Sequence, residues 1–359
     1  MKLDSKIYVA GHRGLVGSAI WKKLTEKGYT NLVGKSSKEL DLLDPIATAK
    51  FFEEEKPEYV FLAAAYVGGI MANNTYRADF IYKNLQIQQN VIYNAYKNNV
   101  SKLLFLGSTC IYPKEAHQPI NENELLTDTL EYTNEPYAIA KIAGIKMCES
   151  FNIQYGTNFI SVMPTNLYGP NDNFDLEKSH VLPAMIRKIY LAKALMNADW
   201  DKIQEDLNKR PVEGVTGNHT KEEITAILNK YRIFEDTLQL WGTGKPMREF
   251  LWSEEMGDAC IFVMENLDFS NVTPEGKEIR NTHINIGTGR DITIKDLSEL
   301  IARTIGYEGK IAFDAAKPDG TMRKLVDVSK INNLGWKHQI EIEEGVQRMY
   351  DWYLKNTEK

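Results

Sequence analysis

The short apolar run Ile7-Tyr8-Val9-Ala10 passes directly into Gly11-His12-Arg13-Gly14-Leu15-Val16-Gly17. Beyond it Ile20 and Leu24 recur at helical spacing, with a stop at Gly28. Strand, glycine turn and amphipathic helix, in that order, is the context of a dinucleotide-binding βαβ unit. Gly11 permits the tight turn, Gly14 lets backbone approach a pyrophosphate, and Gly17 packs helix on strand. The free N–H groups at the helix start then meet the anion. The spacing G-x-x-G-x-x-G departs from the commoner G-x-G-x-x-G, so its weight comes from its place after a first strand. A structural turn with no ligand is the alternative.

The next strand is expected to end near Val33. A site that prefers NAD holds the ribose hydroxyls with a carboxylate about 20 residues beyond the glycines. Here the chain reads Val33-Gly34-Lys35-Ser36-Ser37-Lys38, with no carboxylate before Glu39. Lys35, with Arg13 in the glycine turn, suits the 2′-phosphate of NADP(H); two solvated surface cations are the alternative. Strand and helix signals then alternate: strand 59–65, helix 76–99, strand 102–106, helix 136–155, strand 159–163. Repeated β-α-β predicts an α/β fold with a doubly wound parallel sheet and ligands at the carboxyl ends of its strands. Ser108 and Cys110 lie at such an end. After Asn166 the pattern gives way to prolines, loops and short elements, which predicts a smaller C-terminal α/β substrate domain. The expected division is 1–167 plus about 250–286 for the cofactor domain. The substrate domain takes 168–249 plus about 287–359.

In Pro136-Tyr137-Ala138-Ile139-Ala140-Lys141 a phenol and an ammonium four residues apart share one face of a helix that Pro136 can open. A lysine close to a phenol lowers the tyrosine pKa from its ordinary value of about 10, which makes a proton donor usable near neutral pH. An ordinary surface pair is the alternative. The net charge of -6 argues against non-specific binding to nucleic acid or an anionic membrane. No apolar run approaches the roughly 20 residues of a membrane-spanning helix, and the first six residues lack the apolar core of a signal peptide. Cys110, Cys148 and Cys260 are scattered and odd in number, which fits free thiols in a reducing cytoplasm, and none has a metal-type spacing.

Ser108, Tyr137 and Lys141 together match the catalytic set of the extended short-chain dehydrogenase/reductases. The motifs GSTCIYP at 107–113, NEPYAIAK at 134–141, MPTNLYGP at 163–170, SHV at 179–181, WGTG at 241–244, MREF at 247–250 and KPDG at 317–320 narrow this further. With Asp41-Leu42-Leu43-Asp44, they resemble the GDP-L-fucose synthase family nearly end to end. That resemblance implies conversion of GDP-4-keto-6-deoxy-D-mannose to GDP-L-fucose, by epimerisation at C3 and C5 and NADPH-dependent reduction at C4. By the same resemblance Ser108 and Tyr137 hold the C4 carbonyl, Cys110 is the base and His180 the acid. Lys141 lowers the Tyr137 pKa and binds the nicotinamide ribose. The cofactor set it implies is Gly11, Arg13, Gly14, Gly17, Lys35, Asp41, Leu42, Leu106, Ser108, Tyr137, Lys141, Pro164, Asn166, Leu167 and His180. Lys188, Trp241, Arg248 and Lys317 would hold the GDP-sugar, and a homodimer is expected. Taken singly, Cys110 could be a buried small hydrophobe, His180 a loop residue, Ser108 a turn cap and Trp241 core.

Two features depart from the family pattern. Lys35 stands where the family often has Arg, which loses a bidentate fork and could soften the preference for NADP. Residues near 194–237 form a segment that compact members lack. There Thr220-Lys221-Glu222-Glu223 reads as a capping box before the apolar stripe Ile224, Ile227, Leu228 and Tyr231. Trp200, Ile203 and Leu207 suggest a partner helix broken off by Pro211 and Gly214, and so a helical hairpin. Competing functions are another NADP-dependent nucleotide-sugar epimerase or 4,6-dehydratase, and a non-catalytic NADP-sensing regulator. The dehydratases carry an Asp-Glu pair where this chain has Cys110 and Ile111, and a regulator would need neither Tyr137 nor Lys141.

Overall fold

The computed structural model describes residues 1–274, 276, 278–317 and 319–357, so Pro318 of the KPDG motif lies outside the described residues. The chain begins β1 (Ile7–Ala10), α1 (Leu15–Glu26), β2 (Leu32–Val33), α2 (Pro45–Glu55), β3 (Tyr59–Leu62), α3 (Ile70–Thr75), α4 (Arg77–Lys97) and β4 (Lys102–Leu106). It continues through α5 (Glu135–Tyr155), β5 (Phe159–Pro164), β6 (Asn166–Tyr168), α6 (Val181–Met196), α7 (Trp200–Lys209), α8 (Lys221–Lys230) and β7 (Thr237–Trp241). Then follow β8 (Met247–Arg248), β9 (Phe250–Trp252), α9 (Ser253–Asn266), α10 (Phe269–Val272), β10 (Ile284–Ile286), β11 (Ile292–Thr293) and α11 (Ile294–Ile305). The last elements are β12 (Lys310–Asp314), β13 (Arg323–Lys324), α12 (Ser329–Asn333) and α13 (Ile342–Thr357). Among the described residues, no helix is long and apolar enough to cross a membrane.

The first compact unit comprises Met1–Leu167, Glu249–Gly289 and Leu325–Gln339. Its core is a six-stranded sheet in the order β10-β5-β4-β3-β1-β2, parallel throughout. Period-two alternation sends Tyr8, Val60, Leu62, Leu103 and Phe105 to one face, against Phe52, Val91, Ile92, Ile145 and Cys148. Ile7, Val9, Phe61, Leu104 and Leu106 go to the other, against Ile20, Leu24, Met256, Cys260 and Val263. Both faces are therefore covered by helices, as a parallel sheet requires. Cys148 and Cys260 serve these two cores as small hydrophobes, and burial raises both thiols, Cys148 to about 12. Gly257 brings α9 onto α1 so closely that a Cβ there would stand 2.8 Å from the Ala19 carbonyl carbon. The strand expected at 59–65 stops at Leu62, β2 is only two residues long, and the long helix after Tyr76 is preceded by the short α3.

The second unit comprises Tyr168–Arg248, Arg290–Lys324 and Ile340–Lys359. It holds α6 packed against α11 and α7, the parallel pair β12-β7, and the small sheet β11-β8-β13. The segment 194–237 is helical as expected. Thr220 and Glu223 exchange side-chain and backbone hydrogen bonds in a capping box, at 3.2 and 2.9 Å. The chain reverses at a Val212–Val215 bridge, where Gly214 takes φ +84°. The Lys221 ammonium sits 4.8 Å over the Trp200 ring, joining the starts of α7 and α8. The main partners of α7, however, are α6 and α13 rather than α8, with Ile203, Asp206 and Leu207 buried against them.

Candidate active site

In the first unit β1 lies between β2 and β3, so the chain order reverses at β1, and the carboxyl end of this strand is the switch point at which open α/β sheets bind their ligands. The glycine turn occupies this point. Gly11 takes φ +83°, and a Cβ on it would meet the Ala64 nitrogen at 2.8 Å. A Cβ on Gly17 would fall 2.0 Å from the Gly11 carbonyl oxygen, so only glycine lets α1 start this close to the turn. Gly14 is different: its φ is -77° and an added Cβ would lie 3.4 Å from the same oxygen. It caps α1 without any side-chain hydrogen bond, which leaves the first N–H groups of the helix open to an anion. Gly11 and Gly17 thus allow the close backbone approach that shapes the turn, and Gly14 leaves the helix start open, an arrangement that fits a pyrophosphate.

Arg13 is exposed in that turn, and Lys35 stands half-buried two residues past β2. The Asp41 carboxylate accepts from the Leu43 N–H at 2.9 Å, while Leu42 is held by Asn90, whose amide donates to its carbonyl at 2.8 Å. One neighbour was not foreseen from sequence. The His12 ring lies against Gly34, where a Cβ would come within 2.6 Å of it, and its Nδ1 is buried without a partner. Desolvation, reinforced by Arg13, lowers its pKa. The signal was a glycine directly after β2, which reads as loop until its neighbour is known.

At the end of β4 the Gly107 N–H donates to the Val162 carbonyl at 2.8 Å, and the chain turns through a single 3₁₀ turn over Thr109–Ile111. Ser108 Oγ accepts from the Cys110 N–H at 3.4 Å, which leaves its own O–H free to donate. Cys110 is 7% exposed. Tyr137 and Lys141 come from the first turns of α5. That helix can lie on the sheet because a Cβ at Gly144 would strike the Phe105 ring at 2.4 Å. Gln88 of α4 fixes its height by donating to the Ala140 carbonyl at 2.6 Å. Lys141 Nζ donates to the Leu106 carbonyl at 2.7 Å, 4.8 Å from the Phe105 ring centroid and 5.7 Å from that of Tyr137.

The electrostatics correct one expectation. Lys141 does not bring the Tyr137 pKa below its ordinary value; burial raises the phenol, and the nearby Cys110 raises it further. Desolvation outweighs a cation that is tied to a carbonyl rather than to the phenol. Burial in turn brings Lys141 down to about 8, opposed by Cys110. Cys110 thus acts on both residues, and the structure brings Ser108, Cys110, Tyr137 and Lys141 together at one strand end. Beneath the 3₁₀ turn the buried Tyr112 hydroxyl meets His283 at 3.0 Å and donates to Asn285, whose N–H donates to Glu122 at 3.0 Å. This support was also not foreseen. Its one sequence trace is a histidine and an asparagine set in the apolar run Ile284-Asn285-Ile286.

Pro164 closes β5. The Asn166 amide donates to the Glu249 carbonyl at 2.8 Å, and Leu167 packs against the core on the α1 face. The fully buried Glu249 carboxylate takes the N–H groups of Thr288 at 2.6 Å, Gly289 at 2.7 Å and Val326 at 3.1 Å.

The remaining predicted residues belong to the second unit. His180 is the N-cap residue of α6; it is an exposed residue, yet desolvation holds its pKa below the ordinary value. Lys188, two turns along α6, has no carboxylate partner among the described residues. Burial lowers its pKa to about 8, with a further push from Arg232. Arg232 is itself paired with Asp314 at 3.0 Å, and Asp314 lies beside Trp241 in the β12-β7 ladder. The Lys317 ammonium stands 5.5 Å over the exposed Trp241 ring. Arg248 spends one nitrogen on the Met247 and Thr321 carbonyls, at 2.7 and 2.6 Å, and Gly320 leaves room for another. The Trp241 ring and the Lys317 ammonium over it thus offer an aromatic face beside a cation, and the Arg232–Asp314 pair connects that strand to Lys188.

Comparison with known proteins bears on the family of the whole chain. The model of the NAD dependent epimerase/dehydratase family matches residues 7–208. GDP-L-fucose synthase 1 of Arabidopsis thaliana is 51% identical over 354 residues, covering 99% of this chain and 94% of that protein. Among solved structures, a GDP-6-OMe-4-keto-L-xylo-heptose reductase from C. jejuni superposes with a TM-score of 0.93 at 47% identity, over 99% of each chain. A GDP-D-glycero-L-gluco-heptose synthase from Campylobacter jejuni, solved in the presence of NADPH, gives 0.88 at 46% identity, again over 99% of each.

Proposed function

The chain belongs to the NAD dependent epimerase/dehydratase family, and from that premise we propose the reaction its residues perform. It converts GDP-4-keto-6-deoxy-D-mannose to GDP-L-fucose, epimerising C3 and C5 and then reducing C4 with NADPH. The observation that carries the reading is the cluster of Ser108, Cys110, Tyr137 and Lys141 at the carboxyl end of β4, on the sheet whose switch point holds the glycine turn.

Both epimerised carbons are α to the C4 ketone, so one carbonyl acidifies two positions. Ser108, whose hydroxyl proton is free, and Tyr137, whose raised pKa keeps it a donor, hydrogen-bond the carbonyl oxygen as enolate charge develops. Cys110 removes each α-proton and His180 returns one to the opposite face; its lowered pKa makes its protonated form a ready donor. The cofactor, when bound, supplies the hydride for C4. Tyr137 then gives its proton to the C4 oxygen while Lys141 keeps positive charge beside the phenol. For NADPH the turn at Gly11, Gly14 and Gly17 would take the pyrophosphate and Arg13 and Lys35 the 2′-phosphate. Asp41 and Leu42 would lie by the adenosine half, with Leu106, Pro164, Asn166 and Leu167 along the nicotinamide half. Lys188, Arg248 and Lys317 would meet the GDP pyrophosphate, and Trp241 would stack on the guanine.

A second reading has its own support: two solved relatives at 46–47% identity are named for GDP-heptoses. On that reading the same Tyr137 and Lys141 reduce C4 of a GDP-4-keto-heptose. One experiment separates the two. Purified protein, NADPH and each GDP-4-keto sugar are mixed in D₂O, with nicotinamide absorbance and product mass followed. The fucose reading expects loss of absorbance and two deuterons, at C3 and C5. No loss at any pH retires it; reduction without deuterium removes the epimerase half; faster turnover of the heptose moves the substrate.

The exposed Tyr82 and Tyr93 of α4, with Ile139, Ile153 and Tyr155 of α5, support a homodimer through these helices. Light scattering at twice the protomer mass checks it. Three free cysteines fit residence in the cytoplasm.

A further inference from the structure

The second unit contains a buried ion pair that the reaction above does not use. Arg187 and Asp206 are both fully buried, with Nε donating to Oδ1 at 2.9 Å and Nη2 at 2.8 Å from the same oxygen. Such a pair is weak evidence for stability, since apolar residues of similar volume often serve a core equally well. What it does supply is a set of fixed directions. Arg187 Nη2 also donates to the Arg210 carbonyl at the end of α7, and the Tyr353 hydroxyl of α13 donates to Asp206. Arg187 Nη1 donates to the Phe174 carbonyl at 3.2 Å.

That last bond leads toward His180. Beyond Phe174 the Asp175 carboxylate accepts from the N–H groups of Glu177 and Lys178 at 2.9 and 2.8 Å. Ser179 returns both its N–H and its hydroxyl to the Asp175 carbonyl, and the next residue is His180. Every link from the guanidinium to the imidazole is thus a hydrogen bond or a peptide of a tight turn. Resting on the functional reading above, we infer that Arg187 and Asp206 are positioning residues, through which α7 holds the loop that presents His180 to the sugar.

A misplacement of about 1 Å can cost roughly 100-fold in rate, so the effect is measurable. Asp206→Asn leaves a buried guanidinium unpaired and is liable to unfold, so the decisive variant is Arg187→Met with Asp206→Leu, which removes both charges and retains volume. Two rates are compared with wild type. One is exchange of C3 and C5 hydrogens of GDP-4-keto-6-deoxy-D-mannose in D₂O with NADP present. The other is hydride transfer from GDP-L-fucose to NADP, in which His180 moves no proton. The expected result is loss of exchange by more than about tenfold, with hydride transfer within about twofold of wild type. Equal losses in both rates, or no loss in either, overturn the positioning role. A wild-type protein that catalyses neither reaction overturns the functional reading first, and the positioning role with it.

Discussion

The Lys141 ammonium donates to the Leu106 carbonyl oxygen at 2.7 Å while standing 5.7 Å from the centroid of the Tyr137 ring. Helix α5 and the end of β4 are thereby joined by the group that also supplies charge beside the phenol. The cost falls on that lysine, whose pKa burial brings to about 8.

Lys141 is a cation below that value and a neutral amine above it. A cation beside Tyr137 favours release of the phenolic proton, so reduction needs the protonated lysine. The pH profile of kcat/KM for NADPH oxidation is therefore expected to fall as pH rises through about 8. In Lys141→Arg the guanidinium stays charged, and the falling limb should move above about pH 10 on a lower plateau. A limb at the same pH in both proteins would assign it to another group.

The glycine turn separates two kinds of substitution. A Cβ at Gly17 would collide with the Gly11 carbonyl, which is backbone and cannot rotate away. Gly17→Ala is expected to cost about 1–3 kcal/mol of stability and to weaken NADPH binding as well. Gly14 has an ordinary φ and space for a methyl group. Gly14→Ala should keep its thermal midpoint within a few degrees, about 1 kcal/mol or less, while NADPH binding weakens. Thermal melts and cofactor fluorescence titrations check both; equal thermal losses would mean that Gly14 is structural as well.

For the 2′-phosphate, a charge-assisted hydrogen bond contributes about 1.5–3 kcal/mol, or roughly 10- to 100-fold in affinity. Lys35→Ala is accordingly expected to raise the KM for NADPH by about that factor and to leave the KM for NADH nearly unchanged. Equal changes with both cofactors would place Lys35 away from the phosphate.

The sheet and its cofactor turn were legible because their signals are local. The alternation of Tyr8 and Val9, the glycines after Ala10 and the Tyr137–Lys141 spacing each lie within a few residues. What escaped detection depends on partners remote in the chain. Gly34 matters because His12 lies against it, and Tyr112 is held by His283 and Asn285. Arg187 sits on α6 among apolar neighbours, where its charge makes sense only once Asp206 arrives from α7. The direction of the Tyr137 shift was misjudged for a related reason. Spacing reveals that a cation is near, while the competing desolvation depends on the packing around the phenol, Phe80 edge-on against its ring included, which only the fold assembles.

Cys110 provides the sharpest division between the two halves of the reaction. It lies on the 3₁₀ turn next to Ser108 and influences Tyr137 and Lys141 through space, yet reduction at C4 asks no proton of it. Cys110→Ser replaces a thiol with a hydroxyl that ionises far less readily, while the Ser108 hydrogen bond comes from the residue 110 backbone and survives. Deuterium exchange at C3 and C5 should drop by about 100-fold or more, the range lost with a general base. Hydride transfer from GDP-L-fucose to NADP should stay within about threefold, because Tyr137, which takes the hydroxyl proton in this direction, and Lys141 both remain in place and lose only the through-space influence of the thiol. Mass spectrometry of the sugar and nicotinamide absorbance read the two rates in the same samples. Parallel losses would make Cys110 a packing residue, and retained exchange would give the base to another side chain.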